Sequence, residues 1–123
     1  MERPEINSYR DLEVWQVAMS LAEASYRATG KFPKAELFGM ISQIRRSAAS
    51  VAANIAEGHG RETTAVFVQF LRISQGSLKE LETHFILSQR VGLMEPYAAE
   101  RLLALAGSVG RMLRALIRSL QSK

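Results

Sequence analysis

The chain has 123 residues, enough for one hydrophobic core and too few to expect two, and its 47% apolar and 23% charged residues exclude a disordered or fibrous chain. With no cysteine it has no disulfide, thiolate metal site or cysteine nucleophile. The net charge of +4 hides an asymmetry: Arg101, Arg111, Arg114, Arg118 and Lys123 put five positive charges after residue 100, where no acid occurs, so the rest of the chain sums to −1.

The opening stretch MERPEINSYRDLEVW lacks an apolar run of signal-peptide length, and nothing approaches the roughly 18 uninterrupted apolar residues of a membrane span, so a cytoplasmic protein without membrane contact is expected. Glycine and proline cluster at Gly30 to Pro33, Gly58 to Gly60 and Gly92 to Pro96, dividing the chain into four periodic segments. Gly39, Gly76, Gly107 and Gly110 lie singly inside stretches whose periodicity continues past them. The first segment repeats Leu12, Trp15, Met19, Ala22 and Tyr26 at spacings of three and four, with Ser8 or Asp11 as a cap and Gly30 as a stop. In the second, after Pro33, the stripe is Leu37, Ile41, Ile44, Ala48, Val51 and Ile55, ended by Gly58. The third, capped by Thr63 and closed by Gly92, carries Phe67, Leu71, Ser74, Leu78, Leu81 and Phe85, with serine again at Ser88. The fourth begins at Pro96 and carries Leu102, Leu105, Val109, Met112, Leu116 and Leu120. No run alternates with period two. Helices over about 8–29, 34–58, 63–91 and 96–121, joined by short connections, predict one all-α domain, an antiparallel up-and-down four-helix bundle. Trp15 and Phe85 fall on the apolar stripes and are expected in the core.

The second helix raises a question of its own. Ser47 to Ala56 carry no charge at all, although the apolar stripe spans only about 80° of arc and the opposite side ought to be wet. That opposite side reads Gln43, Arg46, Ser50, Ala53 and Glu57. Small residues there suit an unremarkable helix surface, and they also let another helix approach closely. The second explanation assigns the stripe to a subunit interface, with Arg46 and Glu57 forming charge-assisted bonds at its ends. Asn54, among alanines and Ile55, reads either as a helix-end hydrogen-bonding residue or as an interface contact.

Three stretches, YRDLEVWQVAM (9–19), FPKAELFGMISQIRRSAASVAANIAEGHGR (32–61) and FLRISQGSLKELETHFILS (70–88), resemble in order and spacing the four-helix-bundle family of 23S rRNA intervening-sequence proteins. The QIRR…NIAEG block is the most specific element. The resemblance implies a ring-shaped homopentamer, which makes the neutral stripe a subunit interface. A weaker likeness, resting on fold and on the basic final stretch VGRMLRALIRSLQSK, links the chain to accessory variability determinant proteins of diversity-generating retroelements. Those proteins work with a reverse transcriptase and its RNA.

Motifs for chemistry are missing from the sequence. His59 and His84 have no second histidine at metal-ligand spacing, GHG at 58–60 follows a helix and not a strand, and no serine has a base placed beside it. Glu80 and Glu82, two apart, point to different sides of a helix. No enzyme activity, metal or cofactor is expected. The positive feature is Arg111, Arg114 and Arg118, a stripe about 60° wide on the last helix, expected opposite its apolar face. Such arginines suit an ordinary solvated face near a helix C-terminus, and they equally suit phosphate oxygens of RNA or DNA. The sequence therefore supports a non-enzymatic oligomeric accessory protein that contacts nucleic acid, with a reverse transcriptase as a possible partner. A structural or protein-interaction scaffold is the alternative.

Overall fold

The computed structural model describes residues 6–122 and contains four long helices and, among those residues, no strand. They are α1 (Glu13–Thr29), α2 (Met40–His59), α3 (Thr64–Arg90) and α4 (Pro96–Gln121). Each helix packs on its neighbours in sequence and α1 closes the circle against α4. The connections are short, so successive helices reverse direction around a shared core. Val14, Leu21, Ile44, Val51, Ile55, Leu71, Leu78, Leu81, Phe85, Val109, Leu113 and Ile117 form the centre of that core. Each such side chain contributes about 1.5–3 kcal/mol on leaving water.

The ends are made by specific groups. Ser8 and Asp11 act together, not as alternatives: they form a capping box on a 3-10 turn, Tyr9–Asp11, that precedes α1. Thr63 Oγ1 accepts the Val66 N–H at 3.2 Å, Gly92 leaves α3 with φ of 82°, and Pro96 occupies the first turn of α4.

The second helix departs from expectation at both ends. Pro33 starts a separate 3-10 turn, Lys34–Glu36, and α2 begins only at Met40, after Gly39, so Leu37 lies outside the helix and is exposed. The reason is local: Glu36 folds back and its Oε1 accepts the Met40 N–H at 3.2 Å. Nor does Gly58 stop α2, which runs on to His59 with Gly60 as its cap. Gly58 is a packing residue, since a Cβ there would lie 2.5 Å from Phe70 Cβ and 3.1 Å from Phe67 Cδ1 of α3. Only glycine lets the two helices come this close.

Two helical phases also differ. In α1 the buried residues are Val14, Ala18, Leu21, Ala22, Ser25 and Thr29, while Met19 and Tyr26 of the predicted stripe are exposed and Leu12 and Trp15 lie half-buried against the core. The turn towards Ser25 and Thr29 is possible because each hydroxyl donates to its own helix, to Leu21 O and Ser25 O, both at 2.8 Å. In α4 the core residues are Ala99, Leu102, Ala106, Val109, Gly110, Leu113 and Ile117, with Leu105, Met112, Leu116 and Leu120 only half-buried. Gly110 is buried facing Leu78 of α3, where an added Cβ would make an ordinary contact at 3.4 Å.

Candidate nucleic-acid interface and assembly face

This rotation of α4 relocates the arginine stripe. Arg111, Arg114 and Arg118 are all exposed, and Arg114 and Arg118 border the α3 seam. Arg114 and Arg118 line a groove of about 270 Å³ together with Ile117 and Gln121 of α4 and with Arg72 and Gln75 of α3. No acid lines it, and none of the three arginines is held in an ion pair among the described residues. Arg111 stands outside this group and donates Nη2 to Ser108 Oγ at 3.2 Å on its own helix. Lys123, the last of the five basic residues, lies outside the described residues. Three unneutralised guanidinium groups around one groove form an anion-receptive surface. Arg72 was missed by sequence reasoning because its groove partners belong to another helix, and no single-helix periodicity joins them.

The opposite seam has the reverse character. Trp15, Met19, Ala22 and Tyr26 of α1 face Ala49, Ala52 and Ala53 of α2 across a trough of about 520 Å³, with Glu23 and Arg27 at its edge. The trough continues past Tyr26 and Ala49 towards Leu37 and Phe38, and Phe38 is 92% exposed. Arg45 secures the α1 end of this seam: Nε donates to Thr29 Oγ1 at 2.9 Å, Nη2 to Tyr26 O at 3.3 Å, and the guanidinium lies 4.6 Å from the centre of the Tyr26 ring.

The proposed interface residues divide between two environments. Gln43, Arg46, Ala53 and Glu57 are exposed, and Ala53 reaches the trough. Ser50 is half-buried and turned to α3, its Oγ 2.8 Å from Ser77 Oγ. Glu57 already accepts from Arg61 Nη2 at 2.9 Å. Asn54 neither caps a helix end nor lies bare, because its Nδ2 donates to Ser50 O at 2.8 Å and to Ser50 Oγ at 3.0 Å. A second polar cluster sits higher on the α2–α3 seam. Ser47 Oγ donates to Glu80 Oε1 at 2.7 Å, and His84 Nε2 approaches the same oxygen at 3.6 Å. The Ser47 hydrogen bond, with smaller help from His84 and Arg46 and against partial burial, holds the Glu80 carboxyl below its ordinary range. Here the serine donates to the carboxylate, and the histidine faces the same carboxylate oxygen. Among the described residues no three His, Cys, Asp or Glu side chains are grouped as metal ligands would be, and no helix is long and apolar enough to cross a membrane.

Fold and surface together define a small four-helix bundle with a cationic α3–α4 seam and an apolar α1–α2 seam. A family model described as 23S rRNA-intervening sequence protein matches residues 10–115, and the chain belongs to that family. Among solved structures, it is similar to a crystal structure of a protein of unknown function from the S23 ribosomal protein family of Bacteroides thetaiotaomicron VPI-5482. The TM-score is 0.76 at 23% identity, over 85% of this chain and 97% of that one, a likeness of fold. None of the curated proteins matches the sequence.

Proposed function

We propose that this protein is a non-enzymatic, oligomeric accessory protein that holds RNA by its phosphates. The observation that carries the reading is the acid-free groove of the α3–α4 seam, where Arg72, Arg114 and Arg118 stand without ion-pair partners. Arg111 extends the same basic face along α4, and the intervening-sequence family name is consistent with an RNA context. Contacts of this kind are electrostatic and independent of base sequence, so binding weakens steeply with salt. Fluorescence anisotropy with purified protein and labelled RNA tests it. Binding at low salt should fall by at least about tenfold when Arg111, Arg114 and Arg118 become glutamine, with helicity unchanged. Absence of binding to RNA and DNA alike overturns the reading and leaves a protein-interaction scaffold.

The oligomer is proposed as a ring of five. Support comes from the α1–α2 trough, whose apolar walls and alanine floor offer a second copy close helix contact, and from the family resemblance, which supplies the number. The assembly face is proposed to comprise Gln43, Arg46, Ser50, Ala53 and Glu57; of these Ala53 lines the trough and Arg46 its continuation, while Ser50 turns to α3. Light scattering should give about five times the 13.7 kDa subunit mass, and Ala53→Arg should lower that mass before the subunit unfolds. A subunit-sized particle for the parent at micromolar concentration rejects assembly. The cytoplasm is the proposed site of action. A reverse transcriptase encoded beside the gene, with template and variable repeats, would assign the RNA to a retroelement. A position inside a ribosomal RNA gene would assign it to the intervening sequence.

A further inference from the structure

The α3–α4 groove is more than a charged surface. It is lined by Gln75 of α3 and Gln121 of α4 over the buried Ile117, and its cations come from both helices. Each glutamine amide carries both donors and an acceptor, the complement of a base edge. An arginine fork matches phosphate oxygens, and its plane also stacks on a base. A groove of about 270 Å³ between two neighbouring helices has room for an unstacked base and none for a double helix. A duplex keeps its bases stacked inside and would meet this seam only through its outer phosphates.

Resting on the RNA reading above, we propose that the α3–α4 groove is a single-strand site. In it Arg72, Arg114 and Arg118 hold successive phosphates while a base sits in the groove within reach of the Gln75 and Gln121 amides. Arg72 belongs to this site although it sits on a different helix from the basic stripe. Arg111 does not belong to it, because it lies outside the groove and is bonded to Ser108. Arg72 and Arg111 thus separate a built site from a diffuse positive surface: both are exposed arginines, and only Arg72 lines the groove.

The test compares the full-length parent with Arg72→Gln, Arg118→Gln, Arg111→Gln and Gln75→Ala. Each is titrated at low salt into a labelled mixed-sequence single-stranded RNA and into the same sequence closed as a hairpin duplex. Circular dichroism melts and light scattering are matched to the parent first. The parent should bind the single strand about tenfold more tightly than the duplex. Arg72→Gln should weaken single-strand binding by about tenfold and flatten its salt dependence, whereas Arg111→Gln should stay within about twofold. Gln75→Ala should narrow the gap between single strand and duplex. Arg118→Gln repeats the test from α4 if Arg72→Gln fails to match the parent fold. Equal affinity for single strand and duplex overturns the groove site while the RNA reading stands, and so does an Arg111→Gln loss as large as that of Arg72→Gln. A parent that binds no RNA at all overturns the RNA reading itself.

Discussion

The α1–α2 and α3–α4 seams are built by the same packing of neighbouring helices, yet they present opposite chemistry. Between α1 and α2 the outer surface is tryptophan, methionine, tyrosine and alanine; of its arginines, Arg45 is bonded to the C-terminal turn of α1 and stacked on Tyr26, Arg27 pairs with Glu23, and Arg46 stands exposed. Between α3 and α4 the outer surface is arginine and glutamine, and the cations have no protein partner. The number of arginines does not distinguish the two sides; the apolar lining of one and the acid-free, unpaired cations of the other do. A surface dominated by open apolar groups suits a protein, and one dominated by open cations suits an anion.

The largest expected effect tests whether the two seams share one core. Phe85 is fully buried, and Phe85→Ala should cost about 3–5 kcal/mol in thermal or denaturant melts. Trp15→Ala should cost the isolated subunit roughly half as much, because Trp15 is only half-buried and lines the trough. A Trp15→Ala loss that grows with protein concentration would sharpen the contrast by showing the trough covered in the assembly. Equal losses at every concentration would make Trp15 an ordinary core residue.

Two glycines give the next effect. Gly58→Ala forces α2 away from Phe70 of α3 and should cost about 1–3 kcal/mol. Gly76, in the middle of α3, has open space where its Cβ would be, so Gly76→Ala should raise stability by about 0.5–1 kcal/mol. Chemical denaturation of the two variants checks the opposite signs. A destabilising Gly76→Ala would mean that something packs on α3 there.

The smallest effect lies on the α2–α3 seam. Ser47→Ala removes the main cause of the lowered Glu80 ionisation, so the Glu80 carboxyl titration followed by NMR should move upward. Because the folded value is depressed, the stability from this bond is complete above the ordinary carboxylate range and is lost as pH falls through the folded value below it. In this solvent-screened setting the difference should be about 0.5 kcal/mol at neutral pH. An unmoved titration would reject the assigned cause. Assembly and RNA binding should both be unchanged by this substitution, which touches neither outer seam.

The cores of α2 and α3 were legible in the sequence because a single three-and-four spacing of apolar or small residues runs along each. Ile41, Ile44, Ala48, Val51 and Ile55, and Leu71, Ser74, Leu78, Leu81 and Phe85, are buried in the phase that their spacing gives. The phase of α1 was not legible. Val14, Trp15, Val17, Ala18, Met19, Leu21 and Ala22 spread apolar residues around so much of the helix that periodicity leaves its direction open. Ser25 and Thr29 then look wet although their hydroxyls are satisfied within the helix. The groove was half legible: Arg114 and Arg118 share a helix face, but Arg72 joins them only through the packing of α3 on α4. Gly58 could be read as a stop, since nothing local reveals Phe67 and Phe70 arriving from the next helix.

The most direct test of the division between the seams is sedimentation velocity on the variant with Arg111, Arg114 and Arg118 changed to glutamine, mixed with labelled single-stranded RNA at low salt. Protein mass and RNA co-sedimentation are then read in one experiment. The two-seam account predicts the parent's oligomeric mass with the RNA left behind at the position of free RNA. RNA still moving with the protein, or a fall in protein mass along with the loss of RNA, would contradict it.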